Sequence, residues 1–139
     1  MPFLTRLFVK TAFIYFVVAL LVGIALVARS LASLTPMISA LGPTYLHLFL
    51  VGWVTQLIFG IVYWMFPKYS REHPHGSERA WKATYGLLNA GLVLRAVAEP
   101  LHAAGAGEGW GGWLGLSAVL QWLAGVLFVL NTWGRVKER

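Results

Sequence analysis

An all-α integral membrane protein, a four-helix bundle with both N- and C-termini cytoplasmic, is the fold class the sequence predicts. Three observations predict it. The chain of 139 residues is 58% hydrophobic and 12% charged, where soluble domains carry about 25% charged residues. Four apolar runs come near the roughly 20 residues that a helix needs to cross a bilayer. Nine of the eleven Lys and Arg residues fall on one side of those runs. A single membrane domain, residues 1–139, accommodates all four.

The first span is expected at about residues 8–28, preceded by Arg6 and Lys10. Ser30-Leu31-Ala32 loosely resembles a cleavage site, but the apolar stretch is longer than the roughly 7–15-residue core of a signal peptide, so the span is expected to stay. Pro36 and Pro43 interrupt the connection that follows, because proline lacks the amide that a helix interior needs. The second span, about 44–66, reads "TYLHLFLVGWVTQLIFGIVYWMF". A polar turn, "KYSREHPHGSE", then places Ser77 to cap the third helix, with Glu78 beside its positive end. The third span is expected at about 80–103. Glycines in "AAGAGEGWGG" loosen the chain before the fourth, about 113–133.

Orientation follows from the cations. Arg6 and Lys10 precede the first span, Lys68, Arg71, Arg79 and Lys82 surround the second connection, and Arg135, Lys137 and Arg139 form the tail. By the positive-inside rule those regions face the cytoplasm. The same placement explains the net charge of +6 without nucleic acid, since the basic residues flank apolar runs instead of lining a polar helix. Trp64, Trp81, Trp110, Trp113 and Trp133 fall near span ends, where amphipathic rings favour the interface. With no cysteine, disulfides, thiolate metal sites and covalently attached c-type haem are excluded. No nucleophile-and-base set, phosphate loop or carboxylate pair suits hydrolysis.

Ionisable residues inside a span are expensive and mark candidate sites. Here they are His47, Arg29, Arg95, Glu99 and His102, all in the expected outer half. His47 and His102 lie roughly one turn inside the outer boundary, on different helices. Arg95, Glu99 and His102 stand at i, i+4 and i+7 on one face of the third helix, continued inward by Gly91, Leu88 and Thr84. Arg95 and Glu99 are either a structural ion pair or, for the arginine, with or without Arg29, a neutraliser of an anionic ligand group. His47 is the leading metal-ligand candidate, with Val51, Val54, Ile58, Ile61 and Met65 as an apolar wall on its face. Its alternative is a hydrogen bond to a backbone carbonyl. His102 is the second candidate, unless Pro100 ends the helix early and leaves it in the outer loop. Gly52, Gln56 and Gly60 form a separate packing stripe, and Asn89 and Gln121 read as interhelical hydrogen-bonders. His73 and His75 read as loop residues without a third ligand.

The stretch "HLFLVGWVTQLIFGIVYWMFPK" resembles the second transmembrane helix of catalytic subunit I in haem–copper oxidases and nitric oxide reductases. "GLLNAGLVLRAVAEPL" carries a weaker likeness. The resemblance implies that His47 is an axial ligand of haem b, with Arg29 and Arg95 toward the propionates. The family's copper site needs histidines on further helices, including an adjacent pair. This chain has four histidines and no such pair, so no copper centre and no oxygen or nitric oxide reduction is expected. The family's twelve spans form three arcs of four, and this chain resembles one arc. A homotrimer with haem ligands from neighbouring protomers is therefore implied, using Gly52 and Gly60 at its interface.

The expected function is electron transfer or haem holding in a bacterial or archaeal cytoplasmic membrane. A different class is also open: a cofactor-free accessory or assembly subunit of a respiratory membrane complex. A third is a gas or quinol sensor or enzyme with an open haem position. Partners are the lipid bilayer, further copies of the chain and a respiratory-chain protein.

Overall fold

The computed structural model describes residues 1–31, 38 and 40–136, with the side chains of residues 29–31 outside that description. Four long helices run through it: α1 (Phe3–Leu31), α2 (Gly42–Met65), α3 (Glu78–Ala103) and α4 (Trp110–Trp133). No strand occurs among the described residues. Three segments are long and apolar enough to cross a membrane: Phe3–Ala28, Gly42–Met65 and Trp110–Trp133. The chain is a helical membrane protein. α3 is as long, at 26 residues, but carries more charge along its length.

α1 begins five residues before its apolar run, because Thr5 and Arg6 continue the helix beyond the hydrophobic stretch. Its inward stripe is Leu4, Phe8, Ala12 and Ala19, all buried. Small residues on α2 let that stripe approach closely. A Cβ on Gly52 would stand 2.8 Å from Cγ of Tyr15, and one on Gly60 would stand 2.8 Å from Cβ of Phe8. The glycine stripe of α2 therefore packs against α1 of the same chain.

α2 is not a uniform α-helix. Leu48–Thr55 forms a π-helical segment between α-helical Gly42–His47 and Gln56–Met65. The Thr55 hydroxyl bonds the Leu50 carbonyl, five residues back, at 2.9 Å. Positions 44, 48, 52, 56 and 60 are all buried. In an α-helix, residues four apart drift by about 40° per step, or about 160° across this series, which would carry it off one face. The wider i→i+5 turns of the π segment take that drift back. A periodicity of 3.6 drawn through the sequence misses this, and it leaves Ile58, Ile61 and Met65 on the exposed side.

α3 and α4 pair through Gly91. The Ser117 hydroxyl donates to the Gly91 carbonyl at 2.7 Å, and Gln121 donates to Ser117 at 3.0 Å. Gln121 thus serves the interhelical contact through Ser117, whereas Asn89 donates to Tyr85 of its own helix.

The four helices meet at the end that carries both termini, here the near end. Phe8, Phe59, Trp81 and Phe128 supply one aromatic ring from each helix. Phe59 and Phe128 stack with centroids 3.8 Å apart, while Phe8 meets Trp81 edge-on at 6.3 Å. Trp81 is therefore a core residue, fully buried, and not an interfacial anchor. Its indole N–H explains how burial is tolerated, since it donates to the His75 carbonyl at 2.8 Å. Trp64, Trp113 and Trp133 are exposed, as residues of an interfacial belt would be.

The loop between α2 and α3 is fastened to the end of α4. The carbonyl of Tyr63 would ordinarily bond the amide of residue 67, but that residue is proline. Arg135 takes the amide's place, donating to the carbonyls of Tyr63 at 3.2 Å, Phe66 at 2.9 Å and Pro67 at 3.0 Å. Its side chain is fully buried. Asn131 and Ser77 exchange two bonds, Ser77 N–H to Oδ1 at 2.9 Å and Nδ2 to the Ser77 carbonyl at 3.1 Å. Ser77 also caps α3, its hydroxyl accepting from the Ala80 amide at 3.3 Å, as the sequence predicts.

Candidate functional site

The opposite, far end of the bundle holds the ionisable residues singled out in the sequence. α2 starts at Gly42-Pro43, and proline suits the first turn because its missing N–H would have no intrahelical acceptor there. One turn on, Nδ1 of His47 lies 3.0 Å from the Pro43 carbonyl, the backbone bond that the alternative to metal ligation expects. A carbonyl only accepts, so Nδ1 carries the proton. In the neutral ring this leaves the lone pair on Nε2, and histidines that bind metals are commonly oriented by such a second bond. His47 is partly exposed.

Across from it, α3 presents Arg95 and Glu99 one turn apart. Arg95 Nη2 donates to Glu99 Oε1 at 3.1 Å, the only ion pair among the described residues. The other oxygen of Glu99 accepts from the Thr44 hydroxyl of α2 at 2.9 Å. Thr44 and Glu99 are buried, so the two hydrogen bonds are what keep the carboxylate tolerable there. Arg95 Nε is buried without a partner. Thr44 is the functional neighbour that sequence reasoning passed over. Its signal was present, since it stands three residues before His47 and shares its face.

His102 is placed differently. α3 continues through Pro100 to Ala103, so His102 lies in its last turn and not in the loop. It is exposed, with its ring beside Gly111 at the start of α4. No contact joins it to His47 among the described residues. Arg29 lies in α1 with its side chain outside the described residues. The far-end layer therefore comprises His47 and Thr44 on α2 with Arg95 and Glu99 on α3.

At the near end, His75 is more than a loop residue. Its ring stacks on Tyr63 with centroids 4.2 Å apart, and its Nδ1 is buried without a partner. Burial, with the Arg135 charge as the next cause, pulls the His75 pKa below the ordinary imidazole value. No group of three or more His, Cys, Asp or Glu able to hold a metal ion occurs among the described residues.

Comparison with protein-family models, curated proteins and solved structures finds no match to this chain. The geometry of the far-end layer carries the functional reading.

Proposed function

We propose that the chain crosses the membrane four times, with both termini cytoplasmic, and holds haem b through Nε2 of His47 to store or pass an electron. What supports this reading is the Nε2 of His47, left open to a ligand while Nδ1–H meets the Pro43 carbonyl at 3.0 Å, the backbone bond that the cofactor-free alternative expects as well. That bond fixes the ring's tautomer and leaves the other nitrogen as a ligand near the outer membrane boundary. Bound haem would supply one-electron chemistry. Leu46 and Leu50, both exposed on α2, offer apolar surface to a porphyrin. Arg95 Nε is a donor without a partner for a propionate, and Arg29 is the second cation of the same role. His102 is the less favoured iron ligand, since its ring lies against the start of α4. In this reading the chain would act as a homotrimer, and a neighbouring copy would supply a further protein ligand to the haem. Its interface uses faces other than the Gly52–Gly60 stripe, which α1 occupies.

α3 is the fourth span. Its charges divide between the two ends, Glu78, Arg79 and Lys82 at one and Arg95 and Glu99 near the other, leaving an apolar middle.

The test is the absorption spectrum of protein purified after expression with ample haem, before and after dithionite. A Soret band lost in His47→Ala and kept in His102→Ala is expected. Absence of any Soret band, or a band untouched by His47→Ala, removes the reading. Carbon monoxide binding to the reduced protein would indicate an open sixth position and a gas or quinol role.

The second reading is a cofactor-free accessory subunit of a respiratory membrane complex. The closed Thr44–Glu99–Arg95 network favours it, because Glu99 already compensates the arginine charge. A colourless protein that copurifies with a larger complex would decide for it.

A further inference from the structure

We infer that the near end carries a binding site for a phospholipid headgroup bearing both a phosphate and a primary ammonium, as in phosphatidylethanolamine. A cleft of about 770 Å³ opens there between the 67–77 loop, the first turns of α3 and the end of α4. Glu72, Glu78, Arg79 and Lys82 all line it. Among the described residues none of these four forms an ion pair. Two cations and two carboxylates thus share one cleft with no direct contact between opposite charges among the described residues. A ligand with one charge of each sign, a few ångströms apart, complements that arrangement. An anionic ligand alone leaves the carboxylates opposed.

Arg79 and Lys82 stand three residues apart on α3 and so project from the same side of the helix to meet a phosphate. Glu72 on the loop and Glu78 at the helix start supply acceptors for an ammonium, which donates three hydrogen bonds. Leu130, exposed on α4, forms the apolar lip. It belongs to a helix able to cross the membrane, so an acyl chain leaves the cleft directly into the bilayer. The walls are set before any ligand arrives. Asn131 holds Ser77 by two bonds, and Gly76 has φ +77°, a conformation open to glycine, with Asn131 Oδ1 2.7 Å from where its Cβ would be. Preformed walls reduce the ordering cost of binding.

The inference rests on the membrane reading and not on haem, and flotation with liposomes tests that reading first. A chain that floats is then reconstituted in phosphatidylcholine vesicles containing a minority of phosphatidylethanolamine or of phosphatidylglycerol. Lipids retained after detergent release are counted by native mass spectrometry. Phosphatidylethanolamine is expected to be retained about tenfold over phosphatidylcholine, whose quaternary ammonium has no N–H to donate, a difference of about 1.4 kcal/mol. The pairs Arg79→Gln with Lys82→Gln and Glu72→Gln with Glu78→Gln should each remove most of that preference. Arg71→Gln, outside the cleft lining, should keep it, and both double variants should keep the parent's thermal unfolding midpoint, so that a loss of preference is not misfolding. Equal retention of phosphatidylglycerol would overturn the inference as mere basic attraction. So would equal retention of all three lipids, or preference surviving in either double variant.

Discussion

Replacing Arg135 with methionine should unfasten the near end of the bundle. The aliphatic stem keeps much of its packing in this variant, while the guanidinium and its three bonds are lost. Those bonds serve carbonyls at the end of α2, and one of them, on Tyr63, lacks its usual helical amide because residue 67 is proline. Hydrogen bonds from a charged donor contribute about 1.5–3 kcal/mol each before the cost of burying the donor is subtracted. Burial is complete here, no carboxylate among the described residues pairs with the guanidinium, its Nη1 is buried without a partner, and burial draws the pKa of Arg135 below its usual value. Guanidinium nevertheless remains charged throughout the working pH range. The net loss should be about 2–4 kcal/mol, within the range for removing a buried hydrogen-bonding network. For a chain of this size that corresponds to a fall of roughly 6–16 °C in Tm. Arg135→Lys, which retains one charged donor group, should fall by about half as much. The assay is thermal unfolding in detergent or nanodiscs, followed by the signal of buried Trp81. A Tm for Arg135→Met within about 2 °C of the parent would refute the claim that this side chain closes the end of α2.

Two further outcomes follow from the same interfaces. Gly60→Ala should destabilise the chain by about 1–3 kcal/mol, since its Cβ would press on Phe8, whose own Cβ is fixed to the α1 backbone; denaturant titration measures it. For His75 the pKa is lowered in the folded chain, so the unfolded chain binds the proton more readily and stability rises with pH. Stability should therefore be full above the ordinary imidazole value near 6.5 and decline as pH falls below it. His75→Phe should flatten the slope in that window while Tyr63 keeps a stacking partner; a slope unchanged by the substitution would assign it to other groups.

Much of the architecture was legible because membrane solvent leaves few options. The apolar runs located α2 and α4 to within a few residues, and Ser77 announced the start of α3 through its side-chain oxygen. The pairing of Arg95 with Glu99 could be read from their four-residue spacing. Other features depend on tertiary geometry that no local pattern encodes. Arg135 looks like an ordinary tail cation until Pro67 is seen to leave the Tyr63 carbonyl open 72 positions away. Trp81 looks interfacial by position and becomes core because Phe8, Tyr63 and Phe128 surround it. The underwinding of α2 was visible only as small or polar residues at 44, 52, 56 and 60, which reads equally well as a packing stripe. At the site, Thr44 was missed because a hydroxyl in a first helical turn is usually a cap.

The π segment Leu48–Thr55 has a mechanical consequence for the far-end layer. Below it, Gln56–Met65 is locked in azimuth by Gly60 against Phe8 and by Arg135 at the last carbonyls. Above it, the direction in which His47 faces is the sum of every turn between. If Leu48–Thr55 shed one residue and rewound as plain α-helix, His47 would swing by about 100° around the axis. Thr44 would swing with it and leave Glu99. The eight residues of the segment therefore act as a gear between a clamped inner half and the histidine, setting its aim from a distance.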